Sequence, residues 1–398
     1  MIYCPKIRQC FTFSAKSFMK ILQNNTPMVA PSMHQNNRLC LFALPQFLIA
    51  YFYSMNDIKK EPVTHRIDNL VFMGTPEFAV ASLDALVKAG YNIAGVITAP
   101  DKPAGRGMKL TESAVKKYAV EKGLHVLQPE KLKNPLFIEE LKALKADIQV
   151  VVAFRMLPEI VWNMPPMGTI NLHGSLLPQY RGAAPINWAV INGEKQTGVT
   201  TFKLQHEIDT GNILLQESFA IGEDETAGEV HDKMKEIGAA LLVKTIKGLE
   251  DGSLKEKPQS LIVNRQSSVS NPAADTHHSP LTTHDSPLTT HDSLRHAPKI
   301  FTDTCKINWN KPVDDVYNLI RGLSPFPGAF TFLKDKMLKI YTAEKEITVP
   351  SVSQGAFSTD NKTYLKFAAT GGYIHVKEMQ LEGKKKMMID EFLRGYRF

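Results

Sequence analysis

The sequence predicts an α/β fold with a doubly wound, mostly parallel sheet, followed by a second domain that forms a small β-barrel. Two patterns lead to this prediction. Between residues 69 and 250, short apolar segments typical of buried strands alternate with amphipathic segments typical of helices. After Pro298, short alternating segments separated by turn residues replace that pattern, as in small barrels. The 398 residues suffice for two such domains and their cores.

Four regions are expected along the chain. Residues 1–66 are an N-terminal extension, residues 67–252 the α/β domain, residues 253–297 a linker and residues 298–398 the barrel domain. The extension has no acidic residue among its first 55, and Pro45 interrupts its one apolar run. That run is shorter than the roughly 20 apolar residues that span a membrane. A transit peptide for organellar import is compatible with this composition. We favour translation from Met55 in a bacterial cytoplasm, with the preceding segment mis-assigned or disordered.

The net charge of +7 is unevenly distributed. Residues 1–55 contribute +5, and the part from Lys299 onward holds 16 Lys and Arg against 11 Asp and Glu. A basic C-terminal part suits a polyanionic partner such as a nucleic acid, although ordinary surface lysines would give the same count.

The four cysteines form no Cys-x-x-Cys pair, which argues against a disulfide framework and a structural zinc site.

The first predicted unit is a strand, a helix and a second strand. Residues 69–74 are apolar and predict the first strand. Thr75, Pro76 and Glu77 then supply an N-cap, a residue suited to the first helical position and an acid for the first turn. Gly90 ends this helix, and residues 91–98 predict the next strand. The junction lacks Gly-x-Gly-x-x-Gly, which argues against a dinucleotide site.

A Pro- and Gly-rich loop, residues 99–110, follows and contains the cations Lys102, Arg106 and Lys109. Loops of this length usually only connect elements. Three cations on a flexible loop beside the carboxyl edge of a sheet can also bind phosphates. The residues alone leave both interpretations open.

The alternation of helices and strands continues to the end of the α/β domain. Helices are predicted over residues 113–122, 134–145, 183–192 and 226–250, and strands over residues 125–128, 147–154, 168–171, 197–204 and 212–221. Strands that alternate with helices in this way form a parallel sheet covered on both faces.

The stretch from Asn171 to Ile186 is the centre of the functional prediction. Asn171 and His173 are two residues apart at the end of a strand, so their side chains point the same way. Open α/β sheets bind ligands at this edge, and an amide with an imidazole can hold a polarised carbonyl. The alternative is a capped turn. Two prolines, two glycines and Arg181 specify the following loop closely, which favours a binding loop.

Two motifs then connect the chain to a known family. Residues 171–186 read Asn-x-His-x-Ser-Leu-Leu-Pro-x-Tyr-Arg-Gly-Ala-Ala-Pro-Ile, and residues 198–211 end in Asp209-Thr210-Gly211. Both motifs, in this order, resemble the folate-dependent formyltransferases, most closely the members that act on methionyl-tRNA. The resemblance covers residues 70–249 and residues 297–398. It implies a Rossmann-like catalytic domain and an OB-like C-terminal barrel that binds tRNA.

The resemblance also implies a reaction and its catalytic residues. The formyl group of 10-formyltetrahydrofolate would pass to the amino group of initiator methionyl-tRNA, with folate as cosubstrate and no metal. Asn171 would donate to the oxyanion, and His173 would donate to it or move the proton. Asp209 would orient the imidazole or a bridging water and favour the charged imidazole. His206 and Glu207 depart from the small residues that many members have beside this Asp, and their role is open.

Two binding regions are implied as well. Ser175, Leu176, Leu177 and Pro178 resemble the folate loop, and Lys102, Arg106 and Lys109 occupy the place of a loop that enters the tRNA acceptor stem. The expected partners are initiator methionyl-tRNA and folate, without a membrane, and the expected state is a monomer. One rival function is formyl transfer to a small amine, such as glycinamide ribonucleotide or an amino-sugar nucleotide. The other is a non-catalytic RNA-binding protein.

The linker and the last domain have distinct patterns. Residues 277–283 and 284–290 form a tandem seven-residue repeat within the low-complexity residues 261–296. Histidine-rich tracts can bind metal, but Pro and Ser dominate here, so we expect a disordered linker. In the last domain we expect a helix over residues 313–323 and a rigid turn over residues 324–328. Four strands follow, over residues 329–333, 337–341, 364–368 and 373–378, and then a lysine tail over residues 384–386.

Overall fold

The computed structural model describes residues 66–104, 108–259 and 294–396. These residues belong to one compact unit that begins at Pro62. The N-terminal extension up to residue 65, the seven-residue repeat and Arg106 lie outside the described residues.

Eleven strands and six helices build the first half of the described chain. The strands are β1 (Leu70–Gly74), β2 (Ile93–Ile97), β3 (Lys102–Ala104), β4 (Lys109–Thr111), β5 (Val126–Leu127), β6 (Ile148–Val152), β7 (Thr169–His173), β8 (Arg181–Gly182), β9 (Gln196–Lys203), β10 (Ile213–Ala220) and β11 (His296–Ala297). The helices are α1 (Glu77–Lys88), α2 (Ala114–Glu121), α3 (Pro135–Ala143), α4 (Glu159–Trp162), α5 (Pro185–Ile191) and α6 (Ala227–Glu250).

Seven of these strands form one sheet in the order β10-β9-β7-β6-β1-β2-β5. The pairs from β7 to β5 are parallel, whereas β9 is antiparallel to both β7 and β10. Both faces are covered, because Leu70 and Phe72 of β1 pack with α1 and α6 while Val71 and Met73 pack with α3 and α4. The predicted doubly wound, mostly parallel, Rossmann-like sheet is therefore confirmed.

The structure differs locally from the predicted elements. The predicted loop 99–110 contains an antiparallel hairpin, β3 with β4. The predicted helix 183–192 begins only at Pro185, because Arg181 and Gly182 form β8 and pair in parallel with β11. That pairing draws residues 296 and 297 of the predicted linker onto the α/β half.

The second half of the chain forms an antiparallel sheet with helices against it. Its elements are α7 (Thr302–Cys305), α8 (Val313–Gly322), β12 (Ala329–Leu333), β13 (Lys336–Ile347), β14 (Phe357–Thr359), β15 (Leu365–Ala369), β16 (Gly372–Leu381), β17 (Met387–Met388) and α9 (Ile389–Gly395). The strand order is β12-β13-β16-β15-β14, and β17 adds to β16. This curled half-barrel agrees with the predicted OB-like fold.

The predicted basic tail at residues 384–386 is wrong. These residues form the turn between β16 and β17, and α9 follows. Phe392 and Leu393 of α9 are buried in the second hydrophobic core, because this helix closes one side of the sheet.

Helix α8 joins the two halves through polar contacts. Arg321 is buried, and its Nη1 donates to the carbonyls of Glu225 at 2.9 Å and Gly222 at 3.3 Å. Tyr317 donates its hydroxyl to Asp224 at 2.8 Å. In the part of the chain described, no helix is both long enough and apolar enough to cross a membrane.

Candidate active site

A cavity of about 690 Å³ opens at the carboxyl ends of β6 and β7. Its walls come from the segments that follow β6, β7 and β9, from residues at the starts of α1 and α5, and from one side chain each of α4 and α6. Asn171, His173 and Asp209 all line it. The two sequence motifs thus meet at one site, where an open α/β sheet binds its ligands.

Asn171 and His173 occupy the central strand β7, between β6 and β9. Asn171 is half-buried, and among the described residues no hydrogen bond holds its side chain, so its amide is free to donate to a ligand. His173 is buried, and its Nε2 lies 2.9 Å from the carbonyl oxygen of Tyr180. A carbonyl only accepts hydrogen bonds, so Nε2 carries a proton and the neutral ring has its lone pair on Nδ1.

Asp209 faces that second ring nitrogen. Its Oδ2 lies 3.8 Å from His173 Nδ1, too far for a direct hydrogen bond but close enough to stabilise a charged imidazole. The same oxygen accepts from the backbone N–H of Gly182 at 2.9 Å. Gln259, almost fully buried, donates its Nε2 to the carbonyls of Asp209 and Gly211 at 2.9 Å. The structure brings the three predicted catalytic residues together, and their catalytic roles stay predictions.

The predicted folate residues Ser175, Leu176, Leu177 and Pro178 do not line this cavity. Ser175 Oγ donates to the carbonyl of Gln179 at 2.7 Å, and Leu177 N–H donates to Thr200 Oγ1 at 3.1 Å. Ser175 and Leu177 are almost completely buried. The loop directs these polar groups into the protein, and its assignment to folate stays a prediction.

An apolar wall of the cavity escaped the sequence analysis. Its residues follow the carboxyl ends of β6 and β9 or lie on α4: Phe154, Met156, Leu157, Trp162 and Leu204. Ala153, with a φ of +47°, turns the chain away from β6. Arg155 Nη1 donates to the carbonyl of Glu130 at 2.8 Å. The position of residues 153–157 just after a buried strand was the signal that could have identified this wall.

The structure describes most, but not all, of the other residues singled out in the sequence. Lys102 is exposed on β3, and Lys109 belongs to β4, while Arg106 falls in the gap of the description at residues 105–107. His206 and Glu207 line the cavity and are exposed. Over residues 66–104, 108–259 and 294–396, no group of three or more His, Cys, Asp or Glu side chains could hold a metal ion.

Comparisons with known proteins agree with this architecture. The family model described as formyl transferase matches residues 68–246, and the model described as formyl transferase, C-terminal domain, matches residues 299–397. The methionyl-tRNA formyltransferase of Parabacteroides distasonis is 52% identical over 334 residues, which are 82% of this chain and 95% of that protein. The enzyme of the same name from Bacteroides fragilis is 48% identical over 332 residues, 82% of this chain and 94% of its own.

Solved structures of other formyltransferases share the fold. WlaRD, a sugar 3N-formyltransferase solved with dTDP and 5-N-formyl-THF, matches with a TM-score of 0.53 and 19% identity over 81% of this chain and 100% of its own. The N-formyltransferase of Helicobacter canadensis, in complex with folinic acid and dTDP-3-aminofucose, matches with a TM-score of 0.53 and 20% identity over 78% of this chain and 99% of its own. Similarity at this level of identity is evidence for the fold alone.

Proposed function

The chain belongs to the methionyl-tRNA formyltransferase family, and we propose on this basis that it transfers the formyl group of 10-formyltetrahydrofolate to the amino group of initiator methionyl-tRNA. The observation that carries the proposal is the 52% identity to a relative of that name over 95% of the relative's length, C-terminal domain included. We further propose a monomeric enzyme of the bacterial cytoplasm, as expected from the sequence.

The apolar wall of the cavity supports folate binding. The rings of Phe154 and Trp162 and the side chain of Met156 offer a surface for a flat heteroaromatic ring. The exposed residues 205–208 also line the cavity, and their backbone can supply hydrogen bonds to the polar edge of such a ring. A folate held there would place its formyl group near Asn171 and His173.

Asn171 and His173 divide the chemistry between them. The amine nitrogen attacks the formyl carbon, and the carbonyl electrons move to oxygen in a tetrahedral intermediate. The free amide of Asn171 donates to this oxyanion. His173 Nδ1 takes the proton that the amine loses and returns a proton to the folate nitrogen as the carbon–nitrogen bond breaks. The negative charge of Asp209, 3.8 Å away, stabilises the protonated ring in between.

The β3–β4 hairpin and the basic C-terminal half support tRNA as the carrier of the amine. Lys102, Arg106 and Lys109 belong to or adjoin the hairpin, which follows β2 at the edge where the parallel strands end. Lysines and arginines at such a place can contact phosphates. We assign these three residues to the acceptor stem and the half-barrel to a second part of the tRNA.

One assay separates this function from its rivals. The full chain is incubated with 10-formyltetrahydrofolate and either initiator methionyl-tRNA, uncharged initiator tRNA or glycinamide ribonucleotide, and formylated product is measured. We expect product only with methionyl-tRNA, and a loss of product in His173→Ala. Faster formylation of glycinamide ribonucleotide would replace the proposal with a small-amine enzyme. Binding of tRNA without any formylation would indicate an RNA-binding protein.

A further inference from the structure

Tyr180, Glu194 and Arg295 form a polar cluster in which the tyrosine is buried, while the side chains of Arg295 and Glu194 are 31% and 32% exposed. Tyr180 is 5% exposed, and its hydroxyl donates to Glu194 Oε1 at 2.5 Å. Arg295 Nη1 donates to the same Glu194 oxygen at 2.6 Å and to the Tyr180 oxygen at 3.1 Å. Asn192 Nδ2 also donates to that oxygen, at 3.1 Å. The hydroxyl therefore makes every hydrogen bond that it can, one donated and two accepted.

Burial and hydrogen bonding keep the hydroxyl of Tyr180 protonated. Burial, together with the hydrogen bond to Glu194, raises the pKa of Tyr180 to about 12. The hydroxyl stays protonated at neutral pH and remains a donor to the carboxylate. The guanidinium of Arg295 pairs with the partly exposed carboxylate of Glu194 at 2.6 Å.

The backbone of Arg295 contacts the same loop. Tyr180 N–H donates to the carbonyl of Arg295 at 2.6 Å, and Arg295 N–H donates to Gln179 Oε1 at 2.8 Å. Two residues later, the carbonyl of Ala297 accepts from the N–H groups of Ala183 at 2.7 Å and Ala184 at 3.2 Å. Residues 295–297 thus lie along residues 179–184 as a strap. Residues 179–184 form what we call the catalytic loop, and the strap reaches it from more than 100 positions further along the chain.

The cluster connects to His173 through one carbonyl. Tyr180 has a φ of +60°, in the left-handed region that non-glycine residues seldom occupy without support. Its carbonyl oxygen accepts the Nε2 proton of His173 at 2.9 Å. The direction of that carbonyl depends on the Tyr180 backbone, which the strap and the cluster hold from both sides.

We propose that Arg295 is a positioning residue for His173. Through Glu194 and Tyr180, it holds the carbonyl that keeps a proton on Nε2 and leaves Nδ1, on the side of Asp209, as the base. The inference rests on the proposed function only in that it takes His173 to be the base of the formyl transfer. Loss of the guanidinium would remove one donor to the Tyr180 hydroxyl and the ionic partner of Glu194, although the backbone bonds of residue 295 would remain. A less firmly held Tyr180 carbonyl would let the imidazole exchange between its two tautomers.

The first arm of the test is kinetic and compares Arg295→Ala with Arg295→Lys. We expect kcat for methionyl-tRNA in Arg295→Ala to fall about 10- to 100-fold, because misplaced catalytic groups cost rate. The KM values for folate and methionyl-tRNA should stay within about twofold, since Arg295 does not line the cavity. Arg295→Lys should recover part of kcat, because an ammonium can still contact Glu194 and the hydroxyl. Lys195→Ala, which removes an exposed cation next to Glu194, should match the unmodified protein.

The second arm is spectroscopic and needs no activity. Nitrogen-15 shifts of the His173 ring, assigned with His173→Gln, should show the proton on Nε2 in the unmodified protein and averaged tautomers in Arg295→Ala. Unchanged shifts together with an unchanged kcat would overturn the proposal. If Arg295→Ala does not fold, Tyr180→Phe and Glu194→Gln test the same chain of contacts, and unchanged values in both would overturn it equally. A tautomer change in a protein that formylates no tRNA would preserve the positioning role and refute the proposed function.

Discussion

At the residue scale, the side chains of Asn171 and His173, both on β7, differ in their hydrogen bonds. His173 is tied to the Tyr180 carbonyl, whereas the half-buried Asn171 amide has no side-chain hydrogen bond to another described residue. A donor that is free in the absence of ligand can give its full hydrogen bond to the developing oxyanion. A base that is already oriented loses little freedom when the substrate arrives.

This difference leads to a prediction for Asn171 and His173. Asn171→Ala and His173→Ala should each lower the single-turnover rate by roughly 10²- to 10⁴-fold, because one removes a donor and the other a proton carrier. Asn171→Asp should be slower than Asn171→Ala, since it places a negative charge beside the oxyanion. The rate is measured with methionyl-tRNA, and circular dichroism checks the fold. A near-normal rate in a folded Ala variant would refute the assignment.

Asp209 has two separable roles, and its variants should distinguish them. Asp209→Asn keeps an oxygen that can accept from Gly182 N–H but loses the charge next to His173. We expect turnover to fall about 10- to 1000-fold with little change in the urea midpoint. Asp209→Ala loses the charge and the acceptor, so it should be as slow and also less stable. Equal turnover of Asp209→Asn and the unmodified protein would show that the charge has no part in catalysis.

The site was only partly predictable from single residues. Asn171, His173 and Asp209 could be named because each sits in a long motif next to a predicted strand. The role of Ser175–Pro178 could not be read in the same way, because sequence does not show which way a loop directs its polar groups. Those groups bond to Gln179 and Thr200 inside the protein, so the assignment of this loop to folate stays a prediction.

At the element scale, the parallel pair of β8 and β11 determines the shape of the catalytic loop. Gly182 stands at its centre with a φ of +126°, and a Cβ there would lie 2.4 Å from the carbonyl oxygen of Ala297. Its N–H also donates to Asp209. A side chain at this position would separate the strap from the loop and move Asp209 at the same time.

Gly182→Ala should therefore damage both stability and activity. We expect a loss of about 2–4 kcal/mol in the free energy of unfolding and at least a tenfold fall in turnover. Gly90→Ala is the matched control, since Gly90 has a φ of +85° but open space around a Cβ, so that only backbone strain of about 1 kcal/mol applies. Urea unfolding and kcat are measured for both. Equal effects of the two substitutions would show that the contact with Ala297 is unimportant.

The long elements were predictable and this short pair was not. Strand β1 is a continuous apolar run and β6 is apolar apart from Gln149, while α6 has a clear helical period with a capping box at Thr226 and Glu229. A two-residue strand has no period, and the partner strand of β8 lies beyond the seven-residue repeat. We assigned β11 to the linker from composition, because this short strand directly adjoins the low-complexity segment and is too short to show a pattern of its own.

At the scale of the whole molecule, the excess of positive charge in the C-terminal half suits the proposed tRNA substrate. The part from Lys299 onward holds 16 Lys and Arg against 11 Asp and Glu, and Lys102 and Lys109 lie on the β3–β4 hairpin. Arg106→Ala should weaken the use of methionyl-tRNA and reduce the slope of log affinity against log salt by about one unit, whereas Arg106→Lys should keep the slope. Binding is measured over a salt series. An unchanged slope, or a loss of folate binding, would remove Arg106 from the tRNA contacts.

The last prediction concerns the repeat between the halves. Gln259 and Arg295 flank it, and both are anchored on the catalytic loop, the first to the side chain of Arg181 and the second to Tyr180. Gln259 and Arg295 are therefore held by neighbouring residues of the same loop.

Replacing residues 261–293 with a short Gly-Ser linker should leave kcat within about twofold, because both anchors remain and closure of a shorter loop costs little. Deletion of residues 253–297, the whole predicted linker, removes Gln259 and β11 as well. This longer deletion should lower kcat at least tenfold, since it releases Asp209 and Tyr180 together. Comparable activity of the two deletions would show that the strap is dispensable, and inactivity of the shorter one would assign the repeat itself a role in the reaction.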